Sequence, residues 1–128
     1  MKILLISEDT NLIEKFNAAE VISNNSLTVY SKKTDLLDIL SFVFSNHPSL
    51  LVLDDDMVKP NSARIINSIK NVITTISTIF VTSDESHGLG REISPLGVLY
   101  YAIKPVNIED IRDLIDSLTK SKNLNQVN

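Results

Sequence analysis

Short aliphatic runs bounded by polar positions recur along the chain, at Ile3–Ile6, Leu27–Tyr30, Leu50–Leu53, Ile76–Val81 and Val98–Ile103. Each has strand length, and the unbroken apolar character of Leu50–Leu53 predicts a strand covered on both faces. Between these runs lie segments with helical spacing: Leu12, Ile13, Phe16 and Ala19; Leu36, Leu37, Leu40 and Phe44; Ile65, Ile66, Ile69 and Ile73. Each predicts an amphipathic helix with one apolar stripe. A last helix is expected over 108–120, with Asn107 as its cap and Ile108, Ile111, Leu114, Ile115 and Leu118 on one face. The segment Ser83–Leu96 carries Gly88, Gly90 and Pro95 and predicts a fourth helix that is short or irregular. Beyond Lys120 the polar, asparagine-rich tail 121–128 is expected to fray.

Repeated strand–helix alternation argues for a parallel sheet with helices on both faces. The expected fold class is three-layer α/β/α, a flavodoxin-like (βα)5 arrangement with a five-stranded parallel sheet in the order 2-1-3-4-5. At 128 residues, 43% of them hydrophobic, the chain has enough material for one globular domain. There is no cysteine, which removes disulfides, thiolate metal sites and cysteine nucleophiles from consideration. The longest aliphatic runs are far too short to span a bilayer or form a secretory signal, so no membrane association and a cytoplasmic location are expected. Net charge is −4, the basic residues are dispersed and tryptophan is absent, so direct nucleic acid binding is not expected.

In such a sheet, ligands bind beyond the carboxyl ends of the strands. The expected strands end in Ser7-Glu8-Asp9, in Asp54-Asp55-Asp56, in Thr82-Ser83-Asp84 and in Lys104-Pro105. With the order 2-1-3-4-5, Glu8, Asp9, Asp54, Thr82 and Lys104 converge on one rim. Phosphoryl transfer to a carboxylate needs this kind of set: an Asp nucleophile, a divalent cation to neutralise crowded charge, and donors for the phosphoryl oxygens. Taken singly, Glu8-Asp9 reads as a helix cap, Asp54–Asp56 as an acidic turn, Lys104 as a solvated lysine and Tyr101 as a strand aromatic. Their joint occurrence at strand ends changes that reading. His47 and His87 are far apart with no further nitrogen or sulfur ligand nearby, and are expected in surface loops.

The motifs Ile-Ser-Glu8-Asp9, Pro48-Ser-Leu-Leu-Val-Leu-Asp54, Ile-Phe-Val-Thr82-Ser83 and Tyr101-Ala-Ile-Lys104-Pro105 occur in order. Over essentially residues 2–120 the chain resembles the receiver domain of two-component response regulators, which implies a receiver domain over 1–120. The resemblance implies a phosphoacceptor domain rather than an enzyme in the ordinary sense. Asp54 would accept a phosphoryl group from a histidine kinase or phosphotransfer protein. Magnesium would be held by Glu8, Asp9, Asp54 and the backbone carbonyl of Asp56. Thr82 would donate its hydroxyl and Lys104 would offset the phosphoryl charge. Thr82 and Tyr101 would form the switch, read out on the fifth strand with the fourth and fifth helices. Asp56, Ser83 and Asp84 occupy positions where the lifetime of the acyl phosphate would be tuned, and Asp55 would point away. The output would pass to a downstream protein target, to a covalently linked output domain outside this chain, or to a second copy in a homodimer.

Without metal, the clustered carboxylates are expected to repel one another and show raised pKa values. The sequence also departs from the receiver pattern. Val58 stands where receivers usually place proline, with Pro60 two positions later, and Asn61-Ser62-Ala63 replaces a loop that commonly ends in glycine. Ser83 replaces the usual alanine or glycine. Two other readings compete: a degenerate receiver that acts through contacts independently of phosphorylation, and a haloacid-dehalogenase-like phosphatase using Asp54-x-Asp56. In the latter family the acidic pair usually follows the first strand and a further acidic motif follows the lysine, whereas here Pro105-Val106-Asn107 follows Lys104.

Overall fold

The computed structural model describes residues 1–18 and 25–127, with side chains of the last helix as far as Ser121. Five strands alternate with helices: β1 Lys2–Ile6, α1 Thr10–Ala18, β2 Ser26–Tyr30, α2 Leu36–Asn46, β3 Leu50–Asp54, α3 Ser62–Val72, β4 Ser77–Thr82, α4 His87–Ile93, β5 Tyr100–Ile103 and α5 Ile108–Val127. A single helical turn, Asp55–Val58, follows β3, and a 3-10 turn, Ser94–Leu96, follows α4. The strands form one parallel sheet in the order β2-β1-β3-β4-β5, the flavodoxin-like topology expected from the sequence.

Strand alternation divides the core into two layers. Leu4, Ile6, Leu51, Leu53 and Phe80 face one side and pack with Ile39 and Val43 of α2, Ile65, Ile66 and Ile69 of α3, and Ile93 of α4. Ile3, Leu5, Leu50, Val52, Ile79, Val81 and Ala102 face the other side and meet Leu12 and Phe16 of α1 and Ile111 and Ile115 of α5. Every residue of β3 is buried, which is why its sequence shows an apolar run without alternation. Burying one such aliphatic side chain contributes about 1.5–3 kcal/mol, so the central strands hold their ends firmly in place.

Several local expectations are corrected. The α2 stripe packs inward at Leu36, Leu40 and Phe44 as expected, with Ile39 and Val43 buried at its centre, but Leu37 is 73% exposed and does not belong to it. Leu36, Leu40 and Phe44 are half-buried. Asp35 starts the helix, its carboxylate capping it by accepting the Asp38 N–H at 3.0 Å. β5 begins at Tyr100 rather than Val98, because the 3-10 turn and Gly97, at φ 72°, occupy the approach. The last helix continues past 120 to Val127, so the polar tail adds turns to α5 rather than leaving it. Asn107 does cap it, its Oδ1 accepting the Glu109 N–H at 3.0 Å. The fourth helix is short, with Gly88 and Gly90 inside and Pro95 beyond its end. His47, exposed at φ 52°, closes α2, and His87 opens α4 rather than lying in a loop. Ala19, expected on the α1 stripe, and Asn128 of the tail lie outside the described residues.

Candidate functional site

The carboxyl ends of β1, β3, β4 and β5 meet on one rim, and the parallel register decides which side chains touch. Ile6 pairs with Leu53, so Ser7 and Asp54 stand side by side at the next step. Asp54 is 1% exposed, and both oxygens of its carboxylate accept hydrogen bonds. Its Oδ2 accepts from Ser7 Oγ at 2.6 Å and from Lys104 Nζ at 2.9 Å, and its Oδ1 accepts from the Asp56 N–H at 3.1 Å. The first contact comes from the end of the neighbouring strand β1, the second from the end of β5 two strands away, and the third from the helical turn that begins just after β3.

Lys104 gathers the acidic rim. Its Nζ lies 2.9 Å from Asp9 Oδ2, 2.9 Å from Asp54 Oδ2 and 3.0 Å from Asp56 Oδ2. Partial burial works against the ammonium, but the hydrogen bonds to Asp9, Asp54 and Asp56 outweigh it and hold the Lys104 pKa well above its ordinary value. The hydrogen bond from Lys104 also holds Asp9 below the usual carboxylate range. Burial pushes Asp56 up, yet the hydrogen bonds from Ser83 and Lys104 prevail and leave it lowered too. The raised carboxylate pKa values expected for Asp9 and Asp56 are therefore not found: the lysine supplies the compensating charge.

Asp9 also caps α1, its Oδ1 accepting the N–H groups of Asn11 at 3.0 Å and Leu12 at 3.3 Å. Capping and membership of the cluster are thus both true of one residue. Glu8 is exposed, and none of the bonds that organise the cluster runs to it. Ser83 ties Asp56 to the β4 end through its hydroxyl at 2.8 Å and its N–H at 3.4 Å. Asp84 is exposed and accepts the Ser86 N–H at 2.8 Å at the start of α4.

Asp55 does not point out into solvent. It is 3% exposed and turns to the opposite side of the rim from Lys104's partners, where its Oδ1 accepts from Ser62 Oγ at 2.6 Å and its Oδ2 from Thr82 Oγ1 at 2.9 Å. Thr82 is completely buried, and its Oγ1 accepts the Asp84 N–H at 3.0 Å. Tyr101 packs against Phe80 with ring centroids 5.1 Å apart on this same side. Burial and the negative charges of Asp55 and Asp84 push its phenol above the usual range.

The structure thus brings together Asp9, Asp54, Asp56 and Lys104 in one cluster and Asp55, Ser62 and Thr82 in a second. Sequence reasoning missed roles for Ser7, Asp55 and Ser62. Ser7 was within reach, because strand order places it beside Asp54. Ser62 had no local signal, since only the path from the helical turn into α3 brings it onto Asp55. Among the described residues no group of three or more His, Cys, Asp or Glu is already spaced for a metal ion. The donor set nevertheless suits a hard cation such as magnesium, being carboxylate and carbonyl oxygen throughout.

No protein-family model and no curated protein sequence matches the chain. Solved structures do. The signal receiver domain of a DNA-binding response regulator protein (merR) from Colwellia psychrerythraea 34H superposes with a TM-score of 0.80 at 20% identity, covering 94% of this chain and 98% of the other. A two-component response regulator from Clostridium difficile gives 0.78 at 20% identity, with 96% and 98% covered. The beryllofluoride-activated DrrB receiver domain gives 0.75 at 18% identity, with 93% and 97% covered. In its five-stranded parallel topology and over nearly its whole length, this chain has the fold of a response regulator receiver domain.

Proposed function

We propose that this domain is a phosphoacceptor receiver, a signalling domain rather than a turnover enzyme, modified on Asp54 by a histidine kinase or phosphotransfer protein. The observation that carries the reading is the position of Asp54: a buried carboxylate at the end of the central strand, bonded to Lys104 and flanked by Asp9 and Asp56. One Asp54 oxygen attacks phosphorus, the bond from phosphorus to the donor's leaving atom breaks, and the donor departs with that electron pair. Ser7 and the Asp56 N–H orient the carboxylate. Lys104 remains beside it to offset the charge that arrives. Asp9, Asp54 and the Asp56 backbone carbonyl, with Glu8 at the rim, would hold magnesium. A bound ion supplies further neutralisation of the phosphoryl oxygens.

The switch is assigned to Thr82 and Tyr101, and the tuning positions to Asp56, Ser83 and Asp84. The readout face is β5 with α4 and α5, where Ile103 is exposed and a groove lined by His87, Arg91, Pro95 and Tyr101 opens. A downstream protein, a linked output domain or a second copy would sense it. The receiver unit is taken as residues 1–120, from which α5 continues. No described helix is long and apolar enough to cross a membrane, and partnership with a histidine kinase implies a cytoplasmic location.

One observation favours the alternative, a module that works through contacts alone: both Asp54 oxygens and the Thr82 hydroxyl already have partners within the protein. Intact-mass analysis after incubation with acetyl phosphate separates the two. One added phosphoryl group that requires magnesium and is absent from Asp54→Asn is the expected result. An unmodified, folded wild type would leave the contact module standing.

A further inference from the structure

We infer that Asp55 is a positioning residue that restrains the Thr82 hydroxyl and so sets how readily the site passes into its phosphorylated arrangement. The inference rests on the phosphoacceptor reading and adds to it a carboxylate that reading does not use. A threonine hydroxyl has one proton to give. Here that proton goes to Asp55 Oδ2 at 2.9 Å, while Oγ1 accepts the Asp84 N–H. Thr82 therefore cannot donate to a phosphoryl oxygen on Asp54 without releasing Asp55. Asp55 and Thr82 are 3% and 0% exposed, so water is poorly placed to replace the lost donor. Ser62 Oγ, at 2.6 Å, would be the donor left to the carboxylate. Depriving a buried charged acceptor of a hydrogen bond is unfavourable, and that cost opposes the switch.

The restraint is built into the backbone. Where β3 ends, Asp54 turns toward Lys104 and Asp55 toward the α3 side, so adjacent carboxylates serve separate clusters. Asp55 is bonded both to the first residue of α3 and to the last residue of β4, which leaves it little freedom to follow Thr82.

The test is a double-mutant cycle read by the binding of beryllofluoride, a phosphoryl mimic, in the presence of magnesium. Asp55→Asn preserves shape but replaces a charged acceptor by a weaker neutral one. It should tighten beryllofluoride binding by about tenfold. The gain should vanish in a Thr82→Val background, where no hydroxyl remains to be released. A gain that persists with Thr82→Val means that Asp55 acts by charge alone and overturns the inference, as does an Asp55→Asn affinity no tighter than wild type. Should Asp55→Asn fail to fold, Ser62→Ala serves instead. It leaves Asp55 more dependent on Thr82 and should weaken beryllofluoride binding several-fold, whereas unchanged or tighter binding overturns the inference. If the wild type binds no beryllofluoride, the phosphoacceptor reading fails separately, and the Thr82 χ1 rotamer, read from three-bond couplings in the free protein, decides the restraint. A single rotamer that becomes averaged in Asp55→Asn supports it. An unchanged rotamer overturns it.

Discussion

Ser7 Oγ donates a 2.6 Å hydrogen bond to Asp54 Oδ2 between two fully buried strand ends. The same hydroxyl oxygen accepts the Asp9 N–H at 3.0 Å, so Ser7 links Asp54 to the start of α1. Ser7→Ala should lower stability by about 1–3 kcal/mol, because a buried carboxylate loses one of its donors. Urea unfolding checks this. Phosphorylation should still map to Asp54, since Lys104 and the Asp56 N–H remain to orient it.

Lys104→Met should have a larger effect. It leaves Asp54 buried without its cation and removes the partner shared with Asp9 and Asp56. Breaking such a pair from one side typically costs about 3–5 kcal/mol, with the partly exposed ammonium placing this case near the lower bound. The loss should be largely recovered by saturating magnesium, and phosphoryl uptake should fall sharply. Urea midpoints with and without the ion, together with intact-mass kinetics, test both effects.

Acid should unfold the protein through the same cluster. Asp9 and Asp56 have folded pKa values below their ordinary 3.8, so the stability they confer is present above that value and is lost as pH falls through the lower folded values. Lys104 behaves in the opposite sense: its folded value is raised, so its contribution is present below 10.5 and is lost as pH climbs through the higher folded value. Melting temperature should therefore vary little on account of these groups between roughly pH 5 and 9. Lys104→Met should flatten the acid limb. An acid limb unchanged in that variant would contradict the assignment.

Magnesium should raise the melting temperature of the wild type by binding the native state alone. At a hundredfold excess over Kd the stabilisation is about 2.7 kcal/mol. Asp9→Asn and Asp54→Asn should each reduce the shift, and Asp84→Asn should leave it nearly intact, because Asp84 is bonded to Ser86 at the start of α4. A differential scan across a magnesium series provides the measurement.

The fold was legible because central strands and helix stripes write their burial directly into the sequence. β3 reads as an apolar run because both its faces are covered, and α3 reads as a stripe because Ile65, Ile66 and Ile69 face one layer. In α2 only Leu37 was misplaced, because Leu36 and Leu37 are adjacent leucines and helical spacing lets just one of them join the stripe of Ile39, Leu40, Val43 and Phe44. At the site, Asp54 and Lys104 were legible as strand-end chemistry. The destination of Asp55 was not, because a run of three aspartates carries no mark of which carboxylate goes to which side of the sheet. Only the helical turn after β3 and the placement of Ser62 and Thr82 decide it.

Lys70, in the last turn of α3, donates to the carbonyls of Leu96 at 2.6 Å and Gly97 at 2.8 Å, just ahead of β5. Ser62, at the other end of the same helix, is bonded to Asp55. The anchors stand eight positions apart on the helix, about 12 Å at the usual rise. α3 is thus a strut, pinned at one end to the buried carboxylate and at the other to the chain that leads into Tyr101. One helix ties the acidic rim and the entry to β5 to the same rigid element.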